Sequence, residues 1–443
     1  MELELLRGKQ AGARRAPATR RERWSWYVYD FGNSAYAAVV LLAVYSAYFK
    51  QQVVGGAEGS RLWGLSIGIA MLVVAVISPV LGALADFSAT KKRILFVFTA
   101  VSVTFTALLF FVRQGDVLIG MLFFILAEIG YRGAQVFYNA LLPDIAEPEK
   151  MGEVSGNGWA IGSFGGIVCL AIVLGLIMTV PGTLTVRLAF IITAVFYAAS
   201  TLPVFLNVRE RTEPQKLPQG ETYFSVSLKK LWRTFLESRK YREFIKFLAA
   251  YLVYNNGIIM VLDFAAIIGA VMYGMTQQQL IIFMMIVQVT SVAGAYIFGL
   301  LTARLGGKLS LVLSLSLMML AVGGLFFVSN LAGFNVIGAL AGFALTGVQS
   351  VSRTVVGQVS PVEKAGEFYG LFSVAGQISS FTGPAIYGFL ATALALRLYE
   401  PRGFSPHLAE AAGLEAALLA VIGFLLVGLI FLLFVRSWRR PEA

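Results

Sequence analysis

Charge is scarce in this chain. Only 13% of its residues are charged, against roughly 25% in a soluble domain, which excludes an ordinary soluble fold. The one cysteine, Cys169, excludes an internal disulfide and a cysteine metal cluster. The one histidine, His407, falls in a predicted loop, so histidine chemistry in the core is excluded. The first 23 residues lack an apolar run, so a cleaved signal peptide is not expected. No Walker loop, zincin motif or Ser/His/Asp grouping occurs, and neither enzymatic chemistry nor a cofactor or metal is expected. What is present is apolar: 58% of 443 residues are hydrophobic. The apolar runs are long and unbroken, whereas barrel strands would alternate over about ten residues. The expectation is an all-α integral membrane protein.

The net charge of +11 is unevenly distributed. If the apolar runs cross a bilayer in turn, 27 of the 35 Lys and Arg fall on one side. These include seven before Trp24, ten from Arg209 to Lys246, and the group Lys91, Lys92 and Arg93. The positive-inside rule places that side, and both termini, in the cytoplasm. The basic excess is thus topology and attraction to anionic lipid, not a nucleic-acid surface.

About 20 apolar residues cross the hydrocarbon. Twelve predicted crossings follow, numbered here as segments 1–12: 25–49, 62–85, 94–112, 117–141, 154–180, 188–206, 243–272, 279–302, 309–328, 332–356, 367–396 and 413–435. A basic tail (1–24) precedes a bundle of six (25–206). A hydrophilic loop (207–242), a second bundle (243–435) and a short tail (436–443) follow. Within the loop, Phe224, Leu228, Leu231 and Phe235 recur at helical spacing beside Lys229, Lys230 and Arg233. That stretch suits an amphipathic helix on the inner leaflet or a solvated linker.

The halves repeat. Gly133-Ala134-Gln135 recurs as Gly347-Val348-Gln349, and 149–156 recurs as 363–370 with five identities in eight, both at an offset of 214. Both copies have the same orientation, so the repeats are parallel, related by an axis along the membrane normal.

Charges deep inside the crossings fall only in segments 1, 4, 7 and 10: Asp30, Glu128, Arg132, Asp263 and Arg353. A charge in hydrocarbon costs about 2.5–3.5 kcal/mol on insertion scales, so these four segments line a polar path. Glu128 and Arg132, four apart, share a helix face and pair as a structural lock or a proton-coupled binding site. Asp30, about a turn and a half inside segment 1, serves as a site residue or as a helix cap or gate, with Asn33 on the same face. Tyr251, Tyr254, Asn255 and Asn256 precede Gly257 in segment 7. Poor helix formers there suggest a gapped helix at a cavity, or helix–helix hydrogen bonds. Asp263 is expected at an outer gate. Arg353 binds an anionic group or snorkels, with Gln349 one turn before it. Gln377 and Gln288 are peripheral contacts. Gly158, Gly162 and Gly166 make a small-residue stripe on segment 5, expected against segment 8.

Gly82, Leu84, Asp86, Lys91 and Lys92, between segments 2 and 3, resemble the major facilitator superfamily signature. Trp26-Tyr27-Val28-Tyr29-Asp30-Phe31-Gly32-Asn33-Ser34-Ala35-Tyr36 resembles the opening Y-D-F-A-N-S-A-Y of its vacuole-effluxer-like (autophagy-related) branch. Tyr254-Asn255-Asn256-Gly257, Gln349-Ser350-Val351-Ser352-Arg353 and Gly376-Gln377 to Gly383-Pro384 are similar to further motifs of that branch. Asn256 and Gln377 depart from it, standing where an acid and a lysine are common. The resemblance implies two pseudo-symmetric six-helix bundles. It also implies gating by Asp86, Lys91 and Lys92, and a link to amino-acid efflux.

These readings converge on a monomeric secondary transporter of the cytoplasmic membrane. It would move a small polar or zwitterionic solute by alternating access, driven by protons or another ion. Glu128 is the first candidate for the titrating group. A drug/proton antiporter is the alternative, although segment 5 lacks the Gly-Pro signature of that group. A non-transporting sensor or scaffold on the same fold is an alternative of another kind.

Overall fold

A computed structural model describes residues 18–87, 90–147, 151–180, 182–211, 217, 222–360 and 365–436. Twelve helices among them are long and apolar enough to span a membrane. Segments 1–6 run Arg20–Val54, Glu58–Ala85, Lys91–Phe111, Val117–Ile145, Val154–Thr179 and Thr183–Asn207. Segments 7–12 run Arg242–Met272, Gln277–Leu305, Gly307–Gly324, Leu331–Val359, Glu367–Arg402 and Pro406–Leu433. An even number of crossings puts both chain ends on one face, called the terminal face below.

Segment 1 starts earlier than its hydropathy suggests. Thr19 closes a capping box: its hydroxyl accepts from the Glu22 amide at 3.2 Å, and the Glu22 carboxylate accepts from the Thr19 amide at 2.8 Å. Asp30 therefore lies about three turns inside the helix, which removes the helix-cap alternative. Past Tyr36 the helix widens to π geometry over Ala37–Ala43 and again over Phe49–Val54. Gly55 and Gly56, both at positive φ, then turn the chain into segment 2.

Segments 1, 5 and 6 pack together, as do 7, 11 and 12. Segment 4 packs on 2 and 3 in the first half, as 10 packs on 8 and 9 in the second. The packing thus repeats with a shift of six, as parallel repeats require, in two pseudo-symmetric bundles. The bundles meet chiefly along segments 2 and 11 and segments 5 and 8. Glycines permit the close approach on the first seam. A Cβ on Gly64 would lie 2.2 Å from the Pro384 carbonyl oxygen, and one on Gly388 would lie 2.5 Å from that of Ser60.

The glycine stripe of segment 5 meets a different partner from the one expected. Gly158, Gly162 and Gly165 lie against Trp26, Asp30 and Phe31 of segment 1, and only Gly166 reaches Gln288 of segment 8. Small-residue spacing announces a close helix contact without naming the neighbour.

The start of the interbundle loop straps the terminal face of the first bundle. The Glu210 carboxylate accepts from the Lys91 and Lys92 amides at 3.1 and 2.9 Å, capping segment 3. Lys91 Nζ pairs with Asp144 at 3.2 Å, and Lys92 Nζ donates to the Val208 carbonyl. Arg211 joins Asp144 and Glu22. Both lysines named for gating thus engage their own bundle and its strap. The Asp86 side chain lies outside the described residues. Replacing Glu210 with alanine frees two amide donors and should lower stability by about 0.5–2 kcal/mol. Detergent unfolding of the purified protein checks this.

Further along the loop, Tyr223–Ser238 is a helix; the Lys230 and Leu231 side chains lie outside the described residues. Phe224, Leu228, Trp232 and Phe235 are exposed, and Thr234 donates to Glu367 at 2.9 Å. The helix lies against segments 2 and 11.

Candidate functional site

A cavity of about 800 Å³ lies between the bundles. This falls within the range of ligand sites, roughly 300–1,000 Å³. Its wall comes from segments 1, 2, 4 and 5 of one bundle and 7, 8, 10 and 11 of the other, with nothing from 3, 6, 9 or 12. It extends to Asn139 and Ser155, near the terminal-face ends of segments 4 and 5, and stops at Leu42 and Asp263. The cavity therefore opens toward the terminal face.

Four charged side chains line it: Asp30, Arg132, Asp263 and Arg353. Arg132 turns one side to the cavity and donates from Nε to Glu128 at 2.8 Å. Its guanidinium also lies 5.1 Å from the centroid of the Tyr131 ring. Glu128 is fully buried behind it. The hydroxyl of Tyr36, equally buried, lies beside the Glu128 carboxylate and interacts with it.

Asp30 does not pair with Arg132. Its carboxylate rests on Gly162, where a Cβ would meet Oδ2 at 2.3 Å. Asp263 lines the closed end of the cavity, with Arg132 and Glu128 as the charges that act on it. The Asp263 backbone carbonyl accepts from Trp63 Nε1 at 3.0 Å, tying segment 7 to segment 2. Among the described residues neither aspartate has an ion-pair partner. Gln349 and Gln288 also line the cavity.

Several residues grouped with these by sequence lie elsewhere. Asn33 is buried in the first bundle, accepting from the Tyr197 hydroxyl at 2.9 Å. It is three residues from Asp30, about 60° round the helix, and it interacts with the Asp30 side chain from the bundle interior without lining the cavity. Segment 7 is not gapped: it is helical from Arg242 to Met272. Asn256 returns its amide to the Leu252 carbonyl and accepts from Thr382 of segment 11 at 2.6 Å. The Tyr254 hydroxyl bonds Ser352 of segment 10 at 2.7 Å. Asn255 is buried beside them, and Tyr251 stacks on Phe372 with centroids 4.1 Å apart. Tyr254 and Asn256 thus bond between helices, and none of the four lines the cavity. Gln377 bonds Ser78 at 3.1 Å, joining segments 11 and 2.

Sequence reasoning missed Gln135, Asn139 and Thr346, which all line the cavity. The repeat held the signal. At the offset of 214, Arg132 matches Thr346, Gln135 matches Gln349, and Asn139 matches Arg353. All six face the same space, and each arginine has a neutral counterpart. No group of three or more potential metal ligands occurs among the described residues.

Residues 63–393 match the family described as vacuole effluxer Atg22 like. The MFS-type transporter YxiO of Bacillus subtilis (strain 168) is 29% identical over 84% of this chain and 89% of its own length. Autophagy-related protein 22 of Yarrowia lipolytica is 28% identical over 54% of this chain, a match that spans 45% of that protein. Among solved structures, a bacterial homologue of the human lysosomal transporter Spinster, inward-facing and unoccupied, superposes with a TM-score of 0.70. It is 16% identical over 95% of this chain and 98% of that one. The nucleoside transporter NupG gives 0.73 at 12% identity over 94% and 99%. At such identities the likeness is one of fold. The match over most of the sequence and the twelve-helix, two-bundle architecture agree: this membrane transporter belongs to the vacuole effluxer Atg22-like family of the major facilitator superfamily.

Proposed function

We propose that the protein carries a small zwitterionic solute, amino-acid-like, across the cytoplasmic membrane by alternating access coupled to protons. One observation carries this reading. Each bundle gives one carboxylate and one guanidinium to the same cavity, Asp30 with Arg132 and Asp263 with Arg353. A guanidinium forks onto a substrate carboxylate, and an unpaired aspartate accepts an ammonium. A solute with both charges uses both sets, and its two ends hold the bundles to a common centre. An apolar drug would strand all four charges, which disfavours the antiporter reading. The basic terminal face is the cytoplasmic one by the positive-inside rule, so the present form is open to the cytoplasm.

Proton coupling falls to Glu128. A substrate carboxylate on Arg132 weakens the hold of Arg132 on Glu128, whose carboxylate, beside the Tyr36 hydroxyl, then takes a proton. A thermal-shift screen of amino acids, sugars, nucleosides and organic anions finds the ligand. Proteoliposomes then give the test. Glu128→Gln should abolish accumulation driven by a pH gradient while substrate exchange persists. Accumulation that continues unchanged in Glu128→Gln removes the residue from coupling, and stabilisation by neutral or purely anionic solutes alone removes the zwitterion.

A further inference from the structure

Far from the cavity mouth, Lys50 and Glu410 form an ion pair. Lys50 sits in the second π-helical stretch, at the end of segment 1, and Glu410 lies in the first turns of segment 12. Both positions belong to the face opposite the termini, and they belong to different bundles. Their side chains are only 4% and 7% exposed. The neighbouring Arg61 is occupied by Glu58 at 2.6 Å, so it does not compete for Glu410. The other ion pairs among the described residues stay within one bundle or the interbundle loop.

Burying two opposite charges is a poor way to stabilise a fold, because desolvation offsets most of the attraction. Such a pair does specify an arrangement. Here it is satisfied only while the two bundles are closed on this face, and parting them exposes each charge to water. The same face holds the bundle contacts that seal the cavity. Thr392 donates to the Ala57 carbonyl at 2.8 Å, Gly388 abuts Ser60, and Trp63 donates to the Asp263 carbonyl. The last contact joins this seal to an acid of the cavity wall.

We propose that Lys50 and Glu410 are gate residues of transport. Their pairing holds the cavity shut on the face opposite the termini, and they must separate for it to open there. The proposal concerns the conformational cycle and holds for any substrate.

Two thiol reporters test it in purified protein carrying Cys169→Ser, which removes the one native thiol. Ser60 is buried on the seam, and its hydroxyl makes no hydrogen bond among the described residues, so Ser60→Cys reports opening of the far face. Ser155 is exposed in the open cavity, so Ser155→Cys reports the terminal face. With a water-soluble maleimide, Glu410→Gln and Lys50→Met should raise the Ser60→Cys rate at least tenfold and lower the Ser155→Cys rate. The exchange Lys50→Glu with Glu410→Lys should return both rates toward those of the parent. Unchanged Ser60→Cys reactivity in the single variants overturns the proposal. So does a rise at both reporters, which means general loosening, or an exchange variant that stays as reactive as the singles. Should Lys50→Met fail to fold because it strands a buried carboxylate, Glu410→Gln and the exchange variant still decide. No substrate is needed, so the outcome is independent of the zwitterion reading.

Discussion

Arg132→Met should lose about 3–5 kcal/mol of stability, the cost of leaving one member of a buried pair alone. Glu128 is fully buried, and Arg132 is its ion-pair partner. The other group beside its carboxylate is the neutral Tyr36 hydroxyl. Removing Arg132 therefore leaves a buried carboxylate with no compensating charge. The double replacement Glu128→Gln with Arg132→Met should recover most of the loss, since an apolar side chain beside a neutral amide strands no charge. SDS-induced unfolding of the parent, both singles and the double gives the coupling energy. If Arg132→Met and the double are equally unstable, the pair has no such role and Arg132 matters through packing alone. The result bears on transport as well. A pair that is costly to break in the empty protein is one that a substrate carboxylate can exchange for an equivalent partner.

Gly165→Ala should be the most damaging single methyl group in the first bundle. Its Cβ would lie 2.1 Å from the Phe31 carbonyl oxygen and 2.6 Å from that residue's Cα. Both are backbone atoms and have no rotamer to yield. Segments 1 and 5 would have to move apart, at a cost of about 1–3 kcal/mol for overpacking. Gly165→Leu should abolish assembly of the bundle. Gly175 on the same helix is the control. Nothing lies within 4 Å of a Cβ there, so Gly175→Ala should be neutral or slightly stabilising through helix propensity. Melting temperatures in one detergent separate the two. Equal effects would mean that the close crossing of segments 1 and 5 is not what this stripe provides.

Much of the architecture is written in the order of residues. Apolar runs gave the twelve crossings, and identities at one offset gave two like-oriented halves. The placing of Asp30, Arg132, Asp263 and Arg353 in every third segment marked the four helices that bring charge to the cavity, though not segments 2, 5, 8 and 11, which also line it. Direction around each helix was less legible. Asn33 and Asp30 are neighbours on a helical wheel, yet the cavity takes in only the arc that holds Asp30. Asn256 and Tyr254 are polar and central in segment 7, but their hydrogen bonds close on segments 10 and 11 or on the helix itself. Polarity inside a membrane has two uses, binding and adhesion, and one chain read alone does not separate them. Thr19 and Glu22 did carry a readable signal, the T-x-x-E spacing of a capping box, which hydropathy passes over because both residues are polar. Nothing in Ala37–Ala43 or Phe49–Val54 announces π geometry.

That geometry, which segment 11 shares over Ala395–Tyr399, gives segment 1 a freedom that an unbroken α-helix lacks. A π turn holds an extra residue, and tightening it to the α form screws everything beyond it by about 100° and advances it by about 1.5 Å. Lys50 stands beyond the first such turn and inside the second. A slip of one bonding register would swing its ammonium off the line to Glu410, as a cam lifts a pawl, without melting the helix. Asp30, on the α side of both turns, would keep its place beneath Gly162 while the far end rotates.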